Sequence, residues 1–530
     1  VCTDIRVGKR LLITGAFATW CFLNTWVELA EGRHSYFARF DPRTTVALPV
    51  VCLEALVAVA MLAAWAQLAR FRERRLPHLL FLACCLVPAG VAGVALLRAS
   101  PVDLVPLVRN RVFWPVALVL GLAPAAYAWF RPRAASTFMR HVFCYSWPVL
   151  LVVLFHAVRE GLPARGPEFA DGKPAVRAGT GAAARRVVWI VFDELSRSVV
   201  FESRPASLLL PNFDRLRAGS FHAASALSPS GFTETTMPAL ILGEKVTSAT
   251  PAGPATLLLR TDRHPEPFGW HTRQNVFDTA RDLGYNTALA GWFHPYGRVL
   301  NRSLTESFWV AGWLNIGIEE PGAAQSFLAN VLFRARIQLS SLPLVGHLPG
   351  VFPGLPARRE KIDRFRRLME HAGRIAADPS IGLALLHLTE PHPPPVYSRE
   401  RQALAPERRN SYLDSVAYAD RVLGELRSAM ERRGVWDRTV VIVSSDHGWR
   451  PDLWRGDAEW TAEDQTLVAG GVRQVPFLVK MAGQRTPVEY AMPFDTVVTR
   501  ALITRILAGE LTAPEQLPAA IEQASANPIR

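Results

Sequence analysis

TVVIVSSDHGW, residues 439–449, is the stretch on which the fold turns. An apolar run with no polar alternation gives way abruptly to Asp446, His447 and Gly448. Such a run reads as a strand buried on both faces, the type that occurs in parallel sheets. Similar runs recur at VVWIVF (187–192), NTALAG (286–291) and GLALLHL (382–388). Helical stretches lie between them. The clearest is 411–434, where Leu413, Val416, Leu423, Leu426 and Met430 keep near-helical spacing and Gly434 supplies a stop. Alternating strands and helices predict an α/β domain with a mostly parallel sheet covered by helices.

In open parallel sheets, sites form beyond the carboxyl ends of the strands. Asp193 and Glu194 follow the first run, His294 the second, His392 the third, and Asp446 and His447 the fourth. Taken singly, an acid here can cap the next helix, and a histidine between prolines can be an ordinary loop residue. Gathered at matching strand ends, oxygen and imidazole donors suit a divalent metal ion such as Zn, Mn, Mg or Ca.

The remainder of the 530-residue chain has a different character. Half of all residues are hydrophobic and the formal net charge is +13. Five apolar segments, at 11–30, 46–68, 79–97, 112–130 and 141–158, approach the ~20 residues that span a bilayer. Arg6, Lys9 and Arg10, then ARFRERR (69–75), then RPR (131–133) with Arg140, fall on one side of a five-span arrangement. The positive-inside bias makes that side the cytoplasm and puts everything after residue 160 outside it. The basic surplus is then partly topological and does not call for nucleic acid. No small-residue cleavage site follows the first apolar segment, which argues against a removable signal peptide. The six cysteines all lie in the first third of the chain, so the larger part has no disulfide framework. Glu54 lies inside the second segment. It is either a functional intramembrane acid or one paired with a polar neighbour. The expected organisation is a membrane anchor at 1–159, a Gly/Pro/Ala-rich linker at 160–186, a catalytic domain at 187–510 and a tail at 511–530. Within the catalytic domain, 326–356 is apolar with scattered arginines. It reads either as an insertion on the membrane surface or as a helix packed on the sheet with a Pro-rich loop.

The motifs VVWIVFDE, LPNFDRLRAGSFHAASALSPSG, GYNTALAGWFHPYG, TEPHPPP and WDRTVVIVSSDHGW, in that order over about 187–480, resemble the sulfatase branch of the alkaline phosphatase superfamily. With five spans ahead of them, the chain resembles bacterial phosphoethanolamine and phosphoglycerol transferases of the cell envelope. The resemblance places a nucleophile at a helix start, about ten residues before a glycine and five before a proline. In GFTETTMPALILG (231–243) both offsets give Thr233. It further implies Asp193, Glu194, Asp446 and His447 as metal ligands with Thr233 completing the shell, and His294 and His392 on the transferred group. Sulfatases mature a cysteine or serine to formylglycine, with an arginine downstream. Here the positions hold Thr233 and Met237, and Trp292 replaces the lysine found two residues before the histidine that matches His294.

The implied activity is a metal-dependent transferase that moves a phosphoryl-linked group from a phospholipid-like donor to an extracytoplasmic lipid or glycan through a phospho-threonine. The chain would be a multi-pass protein of the inner membrane. Two alternatives stand beside it. One is a sulfuric-ester or phosphodiester hydrolase, and the other is a non-catalytic membrane protein that binds a ligand.

Overall fold

The structure is a computed structural model that describes residues 2–30, 33–38, 40–68, 71, 74–99, 113–161, 170–179, 181–311, 326–340, 354–407, 410–452, 454, 460–467 and 473–526. The chain forms two compact units, residues 1–166 with 317–353, and residues 167–316 with 354–530.

The first unit is helical, with the helices Cys2–Cys21, Leu23–Ala30, Leu48–Leu68, Arg75–Ala99, Phe113–Phe130, Pro132–Tyr145 and Trp147–His156 among its elements. Among the described residues, Arg43–Leu68 and Arg75–Gly93 are long and apolar enough to cross a membrane. Pro132–Tyr145 and Trp147–Arg159, bent by 41°, would make a third if they act as one. This is fewer than the five spans expected from hydropathy. The segment expected at 11–30 is interrupted at Phe22, and that expected at 141–158 straddles the bend at Ser146. Beside an interior that includes Phe17, Trp26, Leu29 and Phe143, small polar side chains are buried while large apolar ones lie outside. Thr14, Thr19 and Ser136 are buried, whereas Leu56, Val59 and Leu86 are exposed. Glu54 takes the paired alternative, with Trp26 Nε1 donating to its Oε1 at 2.7 Å.

The second unit is built on an eight-stranded sheet. Its strands are β1 (Val187–Asp193), β2 (Phe221–Ala223), β3 (Asn286–Phe293), β4 (Glu306–Ala311), β5 (Ile381–Pro391), β6 (Val440–Ser445), β7 (Phe477–Lys480) and β8 (Val488–Tyr490). The spatial order is β8-β2-β7-β6-β1-β5-β3-β4. Only β7 runs against the others, pairing antiparallel with both β6 and β2. All four apolar runs became central strands. Val188, Ile190 and Phe192 of β1 join Ala384, Leu386, Val441 and Val443 in one core with Phe365, Leu368, Leu413, Val416 and Leu426 of the helices Gly354–Ala377 and Tyr412–Arg432. Ser411 caps the latter helix reciprocally with Asp414, which fixes where it begins. The helices Val276–Asp282 and Thr499–Ala508 contact strands of the same sheet. Residues 511–530, expected as a tail, include the helix Leu517–Ala526, which buries Leu517, Ala520 and Ile521. Part of the expected linker is also fastened down, with Gly172 and Ala175 donating backbone N–H to the carbonyls of Gly297 and Leu304.

Candidate metal and nucleophile site

The sheet order puts the polar strand ends side by side. Asp193 is the last residue of β1. Asp446 and His447 leave β6 on one flank, His387 lies in β5 on the other, and His294 follows β3 beyond it. Two backbone positions hold the cluster in unusual conformations. Glu194 has φ 68 and Phe293 has φ 76, left-handed values that non-glycine residues adopt at a cost. They re-aim the chain just after Asp193 and just before His294. Ser445 fixes the β1–β6 junction. Its Oγ accepts from Leu195 N at 2.9 Å and lies 2.7 Å from the carbonyls of Phe192 and His447.

Thr233 opens the helix Thr233–Leu242, which ends at Gly243 with φ 69. Its hydroxyl donates to Asp446 Oδ2 at 2.7 Å and lies 3.2 Å from Asp193 Oδ2 and 3.4 Å from His447 Nε2. His447 Nε2 is 3.6 Å from both Asp193 Oδ1 and Asp446 Oδ2. The neighbouring threonines turn elsewhere. Thr235 Oγ1 and Thr236 Oγ1 lie 2.6 and 3.1 Å from Ser230 Oγ, the hydroxyl that also accepts from Phe232 N. The structure therefore separates one threonine that faces the acids from two that tie the loop to the helix start.

Of the two histidines expected on the transferred group, His294 Nε2 is 3.4 Å from the Thr233 carbonyl, and the His392 ring packs edge-on against Trp292 with centroids 5.1 Å apart. Burial, helped by His387, pushes His294 down to about 3. Burial, followed by the Arg450 charge, holds His392 well below the usual imidazole range. Both rings are thus neutral at physiological pH and suited to hydrogen bonding rather than to carrying charge. Glu194 has company of its own. Its carboxylate accepts from Arg450 N at 2.7 Å, from Trp454 Nε1 at 3.1 Å and from Arg450 Nη2 at 3.3 Å.

The donor set fits a divalent cation. Asp193, His387 and Asp446 bring one ligand atom each within 4.8 Å of one another, as do Asp193, Glu194 and His392. All are buried. Asp193 Oδ1 and His387 Nε2 have no hydrogen-bond partner among the described residues. Burial and the adjacent Asp446 carboxylate push Asp193 well above the usual carboxylate range, the expected result when two buried acids share a space without a cation between them.

The Sulfatase family model matches residues 362–499, which carry His387, His392, Asp446 and His447. Residues 362–499 are thus similar to the sulfatase family. Asp193, Thr233 and His294 lie outside the matched residues, and the sheet brings them to the same place. No curated protein matches the sequence. Solved structures similar to this chain include Ps i-CgsB in complex with k-i-k-neocarrahexaose, at 17% identity over 63% of this chain and 74% of that one, with a TM-score of 0.40. A phosphonate monoester hydrolase from Silicibacter pomeroyi is similar at 13% identity over 61% and 73%, with a TM-score of 0.40. The PsFucS1 sulfatase from Pseudoalteromonas sp. is similar at 15% identity over 62% and 68%, again with a TM-score of 0.40. The sulfatase family supports an enzyme that acts on sulfuric or phosphoric esters, as hydrolase or transferase.

Sequence reasoning missed four residues of the site. His387 sits inside an apolar strand rather than after it, and Tyr296 Oη lies 2.9 Å from its Nδ1. Its one signal was a histidine in the otherwise apolar GLALLHL. Arg450 and Trp454 grip Glu194 from beyond the DHG turn. Lys361, fully buried, pairs with Glu390 Oε1 at 3.0 Å and donates to the carbonyls of His392 and Pro394 at 2.6 and 3.0 Å. It ties the loop that carries His392 to the helix Gly354–Ala377.

Proposed function

We propose that this protein is a membrane-anchored, metal-dependent transferase that moves a phosphoryl-linked group, of phosphoethanolamine or phosphoglycerol type, to an extracytoplasmic lipid or glycan through a phospho-threonine at Thr233. The observation that carries the reading is the Thr233 hydroxyl, which donates at 2.7 Å to Asp446 with Asp193 and His447 alongside. Asp193, Asp446 and His447, with His387 or Glu194 beside them, would hold the cation. Once bound, it would supply Lewis-acid charge to the threonine oxygen and to the phosphoryl oxygens.

The chain's own groups supply the remaining chemistry. Asp446 Oδ2 is positioned to take the hydroxyl proton. The Thr233 oxygen attacks phosphorus, a P–O bond to the threonine forms, and the bond to the donor's alcohol breaks. That alcohol leaves with the proton that Asp446 took from Thr233, and Asp446 is restored as the carboxylate. In the second step an acceptor hydroxyl attacks the phospho-threonine, and the P–O bond to Thr233 breaks to restore the free side chain. His294 and His392, neutral through burial, border the transferred group, each with one ring nitrogen facing a backbone carbonyl, of Thr233 and Pro393 respectively. Peptide N–H groups at the start of the Thr233–Leu242 helix add further positive potential. Threonine at position 233, with Met237 fully buried downstream, favours this chemistry over a formylglycine route.

Hydrolysis is the runner-up, since water and an alcohol compete for one intermediate. The test is to incubate the metal-loaded chain with a phosphoethanolamine-bearing and a phosphoglycerol-bearing lipid and to measure the mass of the peptide containing Thr233. An added phosphoethanolamine or phosphoglycerol group supports the transfer reading. An unmodified Thr233 during active turnover overturns the covalent mechanism.

A further inference from the structure

The helix Phe327–Ser340 belongs to the first compact unit, although the chain reaches it only after β1 to β4 of the second. Its faces are inverted. Asn330, Arg334 and Gln338, spaced four apart, are buried, while Phe327, Leu328, Leu332 and Leu339 are each more than half exposed. A helix docked on a water-soluble protein shows the opposite pattern.

Its polar side chains go to particular places in the first unit. Arg334 Nε donates at 2.9 Å to the carbonyl of Thr45, inside the π-helical turn Arg43–Ala47 that leads into the Leu48–Leu68 helix. Gln338 Nε2 donates at 2.6 Å to the carbonyl of Cys21, where the Cys2–Cys21 helix breaks. Both are points where the regular helical hydrogen-bond ladder is interrupted. In hydrocarbon a freed carbonyl costs several kcal/mol, and neighbouring side chains are what satisfy it. In water neither carbonyl would need a partner from so far along the chain.

We propose that Phe327–Ser340 is a lipid-embedded helix of the anchor, with acyl chains against Phe327, Leu328, Leu332 and Leu339. This helix packs on the Leu48–Leu68 helix, whose Leu48, Val51, Leu56 and Val59 are exposed in the same way. Arg336 is exposed too, on a stem long enough to carry its charge to the headgroups.

This inference rests on the membrane-anchored part of the proposed function and not on its chemistry. The test uses the unaltered full chain in phosphatidylethanolamine/phosphatidylglycerol vesicles, photolabelled by a carbene reagent dissolved in the bilayer and mapped by mass spectrometry. The expected result is adducts on Leu328, Leu332 and Leu339 at the yield of the Leu48–Leu68 helix. That yield should be at least about tenfold above Val176, an exposed apolar residue of the second unit, given what transfer of an apolar side chain to lipid is worth. Labelling of Leu48–Leu68 with Phe327–Ser340 at the Val176 level overturns the inference, because the face then meets water or a second copy of the chain. If Leu48–Leu68 is itself unlabelled, the anchor reading falls, and this inference with it.

Discussion

The two units of this chain differ in what they leave outside: both have apolar interiors, but the first also exposes large apolar side chains along its helices. In the first, Thr14, Thr19 and Ser136 are inside and Leu56, Val59 and Leu86 outside. In the second, Val188, Ile190 and Phe192 are inside, and the polar groups that are buried collect at the strand ends. The difference teaches what buried polarity is for in each. In the first unit a buried polar atom answers a local need, as Trp26 answers Glu54 and Gln338 answers the Cys21 carbonyl. In the second, Asp193, Asp446, Thr233 and His387 are concentrated beyond what packing requires, and Asp193 Oδ1 is left without a hydrogen bond among the described residues. Polarity held at such a cost marks chemistry rather than stability.

Removing a polar group should therefore cost activity in the second unit and stability in the first. The largest effect is expected for Thr233→Ala, which lowers turnover of a phospholipid-like donor by about a thousandfold or more while divalent metal content is retained. Steady-state kinetics with metal analysis of the same sample checks it, and a variant that keeps most of its activity breaks the comparison at its centre.

The next effect concerns pH. Burial depresses His387 to about 4 in the folded domain, against about 6.5 for an exposed imidazole. The unfolded chain thus binds the proton more tightly, so this contribution to stability is present above pH 6.5 and is lost as pH falls toward 4. His387→Gln should remove about 3 kcal/mol from the difference in unfolding free energy between pH 7 and pH 4. Urea titrations of the metal-free full chain, followed by tryptophan fluorescence, measure it, and equal slopes in both proteins would contradict the assignment.

Asp193→Asn should act with opposite signs in two measurements. Without metal the domain should gain about 1–3 kcal/mol, because a buried charge beside Asp446 is removed. With metal the stabilisation seen in the unaltered chain should disappear. Thermal melts with and without chelator give both numbers from one protein. The smallest effect belongs to the first unit. Glu54→Gln preserves an acceptor for Trp26 Nε1 and should change stability by less than about 1 kcal/mol, with turnover unaltered. Loss of turnover in that variant would move Glu54 from packing to function.

The sheet and half of its site were legible in the sequence for a simple reason. Buried parallel strands are written as unbroken apolar runs, and a polar residue at the end of one has little to do except line the site, as Asp193 and Asp446 do. Thr233 was legible only through the family resemblance, whose offsets from Pro238 and Gly243 it satisfies. His387 was not, because a histidine inside a strand does not interrupt the run enough to draw notice. Arg450, Trp454 and Lys361 were not, because their partners lie tens or hundreds of residues away and only the folded chain brings them together. A window average also does not register the break at Phe22 or the bend at Ser146, which interrupt two of the expected spans. It left 326–356 with two readings; within that range the Phe327–Ser340 helix packs on the Leu48–Leu68 helix.

The contact between Tyr296 and His387 has one more consequence. A phenol oxygen can give or accept a proton, so it tolerates either tautomer of the imidazole Nδ1 it faces. With the phenol donating, His387 Nε2 carries a hydrogen toward the Asp193 carboxylate, 4.0 Å away. With the phenol accepting, the same Nε2 presents a lone pair in the same direction. The ring can thus serve the cluster with its negative charge bare or with a cation in place, without turning, by relocating a single hydrogen.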